Sequence, residues 1–275
     1  VLYDKLAVKV EGKAEILVEL TDGIDEMCQG NSVAIDALRS LAGRATCVAN
    51  LLHTCRPFVS MLWAPIFSSK AKCPFDESDM WRKTVEVPLA WMRAFLRGAH
   101  GTLQRTYHLG AYLQEGDRIE IVTDASPTGM GAFLRINGII KEFAFDELTA
   151  EDEATLSVAR GGSEGQQVWE ALIVLAALRI WAPHWRSIRA TLMVRCDSVS
   201  ALVLVMRLKT SGVGTNLIAW EVALDVAEAL YKPHVVSIYP VYQTLLLTPI
   251  QTQFIGFFPF AIPFTPCEAP MVSSP

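Results

Sequence analysis

The sequence predicts an α/β protein in which a mixed five-stranded sheet with flanking helices occupies residues 113–240, preceded by a small helical region over residues 1–112. Three observations predict it. Residues 118–145 read as three strands joined by tight turns, and residues 166–181 carry apolar side chains at helical spacing. Residues 191–197 form a further strand-like run that ends on an acid, as residues 118–124 do.

The helical region rests first on Ser32 to Leu52, where Val33, Ile35, Leu38, Leu41, Ala45, Val48 and Leu52 fall mostly three and four residues apart. That is the buried stripe of one long helix or two short ones. A second stretch, Val87 to Leu96, places Pro88 near the first turn, where a missing N–H is tolerated. Pro57, Pro65 and Pro74 break the chain between the two.

The character changes at Gly116. Arg118 to Asp124 is β-rich, Ala125 to Gly131 turns, and Ala132 to Ile136 gives a second strand. Asn137-Gly138 is a strong hairpin signal, and Ile139 to Phe145 completes an antiparallel meander. A polar loop through Gly161, Gly162 and Ser163 leads to the helix Gln166–Trp181, a strand Thr191–Asp197, helices Ser198–Leu208 and Asn216–Tyr231, and a strand His234–Ile238. The order is β-β-β-α-β-α-α-β.

Composition narrows the functional classes. The 275 residues are 51% hydrophobic and 19% charged, which excludes a mainly disordered chain. With 24 Lys and Arg against 29 Asp and Glu the net charge is −5, so nucleic acid is not bound through bulk charge and any such contact is local. Cys28, Cys47, Cys55, Cys73, Cys196 and Cys267 form no C-x-x-C pair and no zinc-spaced set, the pattern of reduced thiols in an intracellular protein, cytoplasmic or nuclear and not secreted. The chain starts Val1-Leu2-Tyr3 with no signal-peptide stretch, as expected of a sequence that begins mid-gene. No G-x-x-x-x-G-K-[ST] loop is present, which removes the ordinary nucleotide-hydrolase reading.

Charge is unevenly spread, and residues 233–275 contain Glu268 alone. This tail, residues 241–275, is expected to be poorly ordered. It holds an apolar run of roughly the length that spans a bilayer, but Pro249, Pro259 and Pro263 interrupt it and no Lys or Arg follows, which argues against membrane insertion.

Three acids stand where a metal-dependent nuclease needs them. Asp124 ends the first strand, Asp197 ends the fourth, and Glu170 lies one turn inside the first helix. With those two strands adjacent, the two Asp carboxylates emerge side by side and a helix crossing that face adds Glu170. Such a cluster repels itself unless cations sit in it, and hard oxygen ligands select Mg²⁺ or Mn²⁺ over zinc. Two such ions about 4 Å apart activate a water and stabilise the leaving oxygen of a phosphodiester. Each acid also has a plain structural role open to it: Asp197 precedes Ser198-Val199-Ser200-Ala201 and can cap a helix. Glu164 competes with Glu170 for the helix position, although Glu170 lies in the apolar-periodic part.

Ile121-Val122-Thr123-Asp124-Ala125-Ser126 with Gly129-Met130-Gly131-Ala132, Trp169-Glu170-Ala171-Leu172, and Val194-Arg195-Cys196-Asp197-Ser198 together resemble the ribonuclease H domain of retroelement reverse transcriptases. Upstream, Ser40-Leu41-Ala42-Gly43-Arg44, Arg56-Pro57-Phe58 and Met61-Leu62 resemble the thumb and connection region before that domain, so the resemblance covers roughly residues 30 to 235. It implies a ribonuclease H-like fold and cleavage of the RNA strand of an RNA–DNA hybrid by two Mg²⁺ ions, with Asp124, Glu170 and Asp197 as ligands. His234 stands where the family carries a mobile histidine, or is a plain strand-end residue. The family's fourth Asp follows a His-x-Pro-Gly segment; here His234-Val235-Val236-Ser237 departs from it and no carboxylate appears before Glu268. Loss of that ligand weakens a two-metal site, so an inactive remnant that at most binds nucleic acid is the alternative. Neither Tyr-x-Asp-Asp nor Phe-x-Asp-Asp occurs, so the polymerase palm of such polyproteins is absent from this chain. Trp169, Trp181 and Trp185 read as packing residues, and Arg179, Arg186 and Arg189, with Lys141 at a distance, form a thin candidate patch for a hybrid.

Overall fold

The computed structural model describes residues 2–4, 7–68, 78–99, 103–108, 116–185, 190–208, 212–229 and 234–237. The described residues divide into two units: those up to 107 together with 223–229, and those of 108–222 together with 234–237. The tail expected to be poorly ordered, residues 241–275, lies outside the described residues, and no helix among the described residues is long and apolar enough to cross a membrane.

Helices dominate the first unit: α1 (Ala14–Met27), α2 (Ile35–Leu51), α3 (Arg56–Ile66) and α4 (Glu86–Leu96). Leu20 and Ile24 of α1, Leu38 and Leu41 of α2, Phe58 and Leu62 of α3, and Leu89 and Met92 of α4 are buried, so each helix places its three- and four-residue stripe in the core. The Phe58 ring stacks on Trp91 at 5.6 Å between centroids and meets Phe95 at 5.4 Å.

Short strands also occur here. β1 (Leu2–Asp4) pairs antiparallel with β2 (Ala7–Glu11), and β3 (Ser32–Ala34) pairs antiparallel with β4 (Asp79–Trp81). The sequence places Ser32–Ala34 in a helix, but that helix begins at Ile35. Val33 is buried opposite Met80, and the Ser32 hydroxyl donates to Asp79 Oδ2 at 2.8 Å. A β-branched residue with a distant strand partner overrides local helical periodicity. β5 (Gln104–His108) follows.

Burial pushes the thiol of Cys55 in this unit from its ordinary 9.0 up to about 12, against a smaller opposing pull from the Thr54 hydroxyl. A folded-state pKa above the unfolded one gives stability that is complete below pH 9 and is lost as pH rises towards 12. Unfolding free energy is therefore expected to fall by about 1.4 kcal/mol per pH unit above pH ~9 from this group. Urea midpoints at pH 8 and pH 10.5 check this, because Cys55→Ala should remove that part of the slope; an unchanged slope refutes it.

The second unit carries the sheet. β6 (Asp117–Ala125), β7 (Gly129–Ile136) and β8 (Ile139–Glu147) form an antiparallel meander, and β9 (Ala190–Arg195) lies parallel to β6, giving the order β9-β6-β7-β8. The Asn137-Gly138 turn has φ of 51° and 85°, the doubly left-handed geometry that suits a two-residue hairpin and that Asn and Gly tolerate.

Helix α5 (Ala150–Leu156) stands in what reads in sequence as a polar loop. It is nucleated by a reciprocal cap in which the Asp152 N–H donates to Thr149 Oγ1 at 3.2 Å and the Thr149 N–H donates to Asp152 Oδ2 at 2.7 Å. α6 (Gln166–Ile180) and α7 (Val199–Arg207) follow, and then α8 (Val213–Ala229), of which this unit holds the part up to Val222. Every residue of α6 from Val168 to Leu178 is buried, so the helix is enclosed rather than amphipathic. Trp169, Trp181 and Trp185 are all buried, as packing residues should be.

Candidate metal centre

β6 and β9 are neighbours with Ile121 opposite Val194 and Val122 opposite Arg195, so their C-terminal ends lie together. Side chains alternate along a strand, and in β6 Ile119, Ile121, Thr123 and Ala125 share a face, leaving Glu120, Val122 and Asp124 on the other. Asp124 is exposed at the strand end. The turn beyond it is closed by the Ser126 N–H donating to the Gly129 carbonyl at 2.7 Å.

Glu170 comes from α6 and is 2% exposed. Three neutral donors hold it: the Ala125 N–H reaches Oε1 at 3.3 Å, Gln166 Nε2 reaches Oε1 at 2.9 Å, and the Cys196 thiol reaches Oε2 at 3.2 Å. Gln166 Nε2 also donates to the Ala125 carbonyl, so one amide fixes the carboxylate to the strand end. Glu164 is exposed on the 3-10 turn Ser163–Gly165 and leaves the position to Glu170.

Asp197 follows β9 and is exposed. It is not the cap of α7. Ser198 takes that role, its hydroxyl accepting from the Ala201 N–H at 3.3 Å, which leaves the Asp197 carboxylate available. Cys196, buried beside it, accepts from the Ser198 N–H at 3.3 Å.

Glu170, Cys196 and Asp197 bring one ligand atom each within 4.8 Å of one another and could hold a metal ion. Asp124 is not part of that group. Electrostatics links it to the site nonetheless: burial, then the nearby Asp197 carboxylate, raises its pKa. Burial pushes Glu170 up to about 7, with Asp197 adding to the rise and the Cys196 and Gln166 hydrogen bonds opposing it. Burial and the Glu170 charge push the Cys196 thiol up to about 12.

Among the described residues no Lys, Arg or His forms an ion pair with Glu170. A carboxylate that is buried, next to a second acid and held only by neutral donors suits a divalent cation as its missing counter-charge.

No protein-family model matches the chain, and neither does any curated protein.

The acids are thus all at one end of the sheet, while the other expected residues fare differently. The backbone of His234 is described but its side chain is not, and Arg186 and Arg189 lie outside the described residues. Arg179 is committed to an ion pair with Glu221 at 2.7 Å, so the basic patch expected for a hybrid does not assemble from it. The sequence marks Cys196 only as a reduced thiol. Strand parity was the available signal, because positions 192, 194 and 196 face the same way as 121, 123 and 125, towards α6.

Proposed function

We propose that the chain is a retroelement-derived, ribonuclease H-like endonuclease that hydrolyses the RNA strand of RNA–DNA hybrids with Mg²⁺ or Mn²⁺ at Asp124, Glu170 and Asp197. The observation that carries this reading is the delivery of three acids, from the ends of two adjacent parallel strands and from the helix packed on them, to one end of the sheet. The five-stranded form of the fold is supported by the backbone of His234–Ser237, which pairs in parallel with β9 through His234 opposite Met193 and Val235 opposite Val194.

A divalent cation bound there supplies a nucleophilic water at neutral pH and stabilises charge on the leaving oxygen. The chain's own residues set the geometry. Gln166 and the Ala125 N–H orient Glu170, the Ser198 cap frees Asp197, and Asp124 stands exposed at the end of β6.

A second reading, an inactive remnant that keeps the fold, is favoured by Asp124 standing outside the group of close ligand atoms. Cleavage of a labelled RNA–DNA hybrid by the full chain in Mg²⁺ and then Mn²⁺ separates the two. Cleavage that falls more than about 100-fold in Asp197→Asn supports the nuclease. Intact substrate alongside a cooperative thermal melt of the same preparation selects the remnant.

A further inference from the structure

We propose that Cys196, Glu170 and Asp197 form a thiophilic metal site, taking a cation of the Zn²⁺, Co²⁺ or Cd²⁺ class, and that filling it excludes the Mg²⁺-type occupant with which it shares two carboxylates.

The ligand set carries the binding half. Cys196 Sγ lies 3.2 Å from Glu170 Oε2 and 4.0 Å from Asp197 Oδ1. Zinc bonds of about 2.3 Å to sulfur and about 2.0–2.2 Å to carboxylate oxygen set tetrahedral donors some 3–4 Å apart, so the observed spacings need little adjustment. Three protein donors leave a fourth position for solvent. A hard ion such as Mg²⁺ takes oxygen ligands and has no use for the thiol, whereas a thiolate selects the softer ions.

Burial and charge give independent support. Cys196 is 1% exposed and Glu170 is 2% exposed, so the thiol and the carboxylate face each other away from solvent. Glu170 has only neutral partners among the described residues. On binding, the cation replaces the thiol proton, which passes to solvent, and the resulting thiolate and two carboxylates surround a doubly charged ion. Helix α6 fixes the Glu170 side and the Ser198 N–H fixes the sulfur side, so the site is preorganised from both elements.

The exclusion half rests on the nuclease reading, since it is that reading which places a hard ion on the same Glu170 and Asp197. A zinc-class ion that takes the Cys196 sulfur with Glu170 and Asp197 spends most of the negative charge at this end of the sheet, so little is left to offset the repulsion that a second divalent ion beside it would meet.

Co²⁺ titration of the reduced full chain tests the site. Wild-type protein is expected to show a thiolate-to-cobalt charge-transfer band that Zn²⁺ displaces. Cys196→Ser and Cys196→Ala should both lose the band and bind Zn²⁺ more than about tenfold more weakly, while keeping a cooperative thermal melt without added metal. Asp124→Asn should keep the cobalt band. A wild-type protein without the band, or a band that survives in both Cys196 variants, overturns the proposal. An intact Cys196-dependent band with no hybrid cleavage overturns the nuclease reading alone. Zn²⁺ that binds through Cys196 without inhibiting an active enzyme overturns the exclusion half.

Discussion

Trp169→Ala is expected to destabilise the sheet-bearing unit by about 3–5 kcal/mol. The indole is 0% exposed and is among the largest fully buried side chains of the protein. It sits one residue before Glu170 on a helix buried on all sides, so neighbouring side chains have little freedom to collapse into the void. Gly165 shows how closely the ring is packed: a Cβ there would stand 2.8 Å from the indole nitrogen and would also strike Val158 Cγ1. That nitrogen is buried without a hydrogen-bond partner. Trp169→Phe therefore removes a costly unpaired N–H while retaining most of the volume, and should cost less than about 1.5 kcal/mol. Urea unfolding followed by circular dichroism gives both values. Equal losses for Ala and Phe would show that ring volume is not what matters.

Glu120→Ala is expected to cost about 3 kcal/mol in the same unit. The Glu120 side chain is 5% exposed and bridges two cations, Arg135 at 2.9 Å and Arg195. Their side chains are 20% and 25% exposed, so truncation removes a shared carboxylate from two poorly solvated guanidiniums. Replacing all three residues with Leu or Met removes the buried charges together and should restore most of the loss, because the triad is costly to break and not costly to replace. A single-variant loss below about 1 kcal/mol would refute this.

Much of the sheet-bearing unit was legible in the sequence. The β-rich run of residues 118–124 and the Asn137-Gly138 turn specify the meander through local rules. The placement of Asp124 and Asp197 was readable because each stands at or just beyond the end of a strongly patterned strand, and that of Glu170 because it lies within a continuous apolar helix. Helix α5 was not, since its seven residues offer one buried apolar position, Leu156, and its stability comes from the Thr149–Asp152 cap. β3 was hidden inside a helical periodicity because its partner, β4, is far away in the chain. Cys196 was missed for a different reason: a cysteine next to an acid has no motif, and only its parity with Thr123 and Ala125 marks it as facing Glu170.

The parallel pairing of β6 with β9 joins residues about seventy positions apart, for example Asp117 with Ala190. Closing so long a loop has an entropic cost that local contacts repay only after the meander and α6 exist. The meander is expected to form early and the β6–β9 register late, so Asp124 and Asp197 meet only when folding is nearly complete. A divalent cation taken up at the proposed site would stabilise the finished unit without hastening its formation: it should slow unfolding and leave the refolding rate almost untouched.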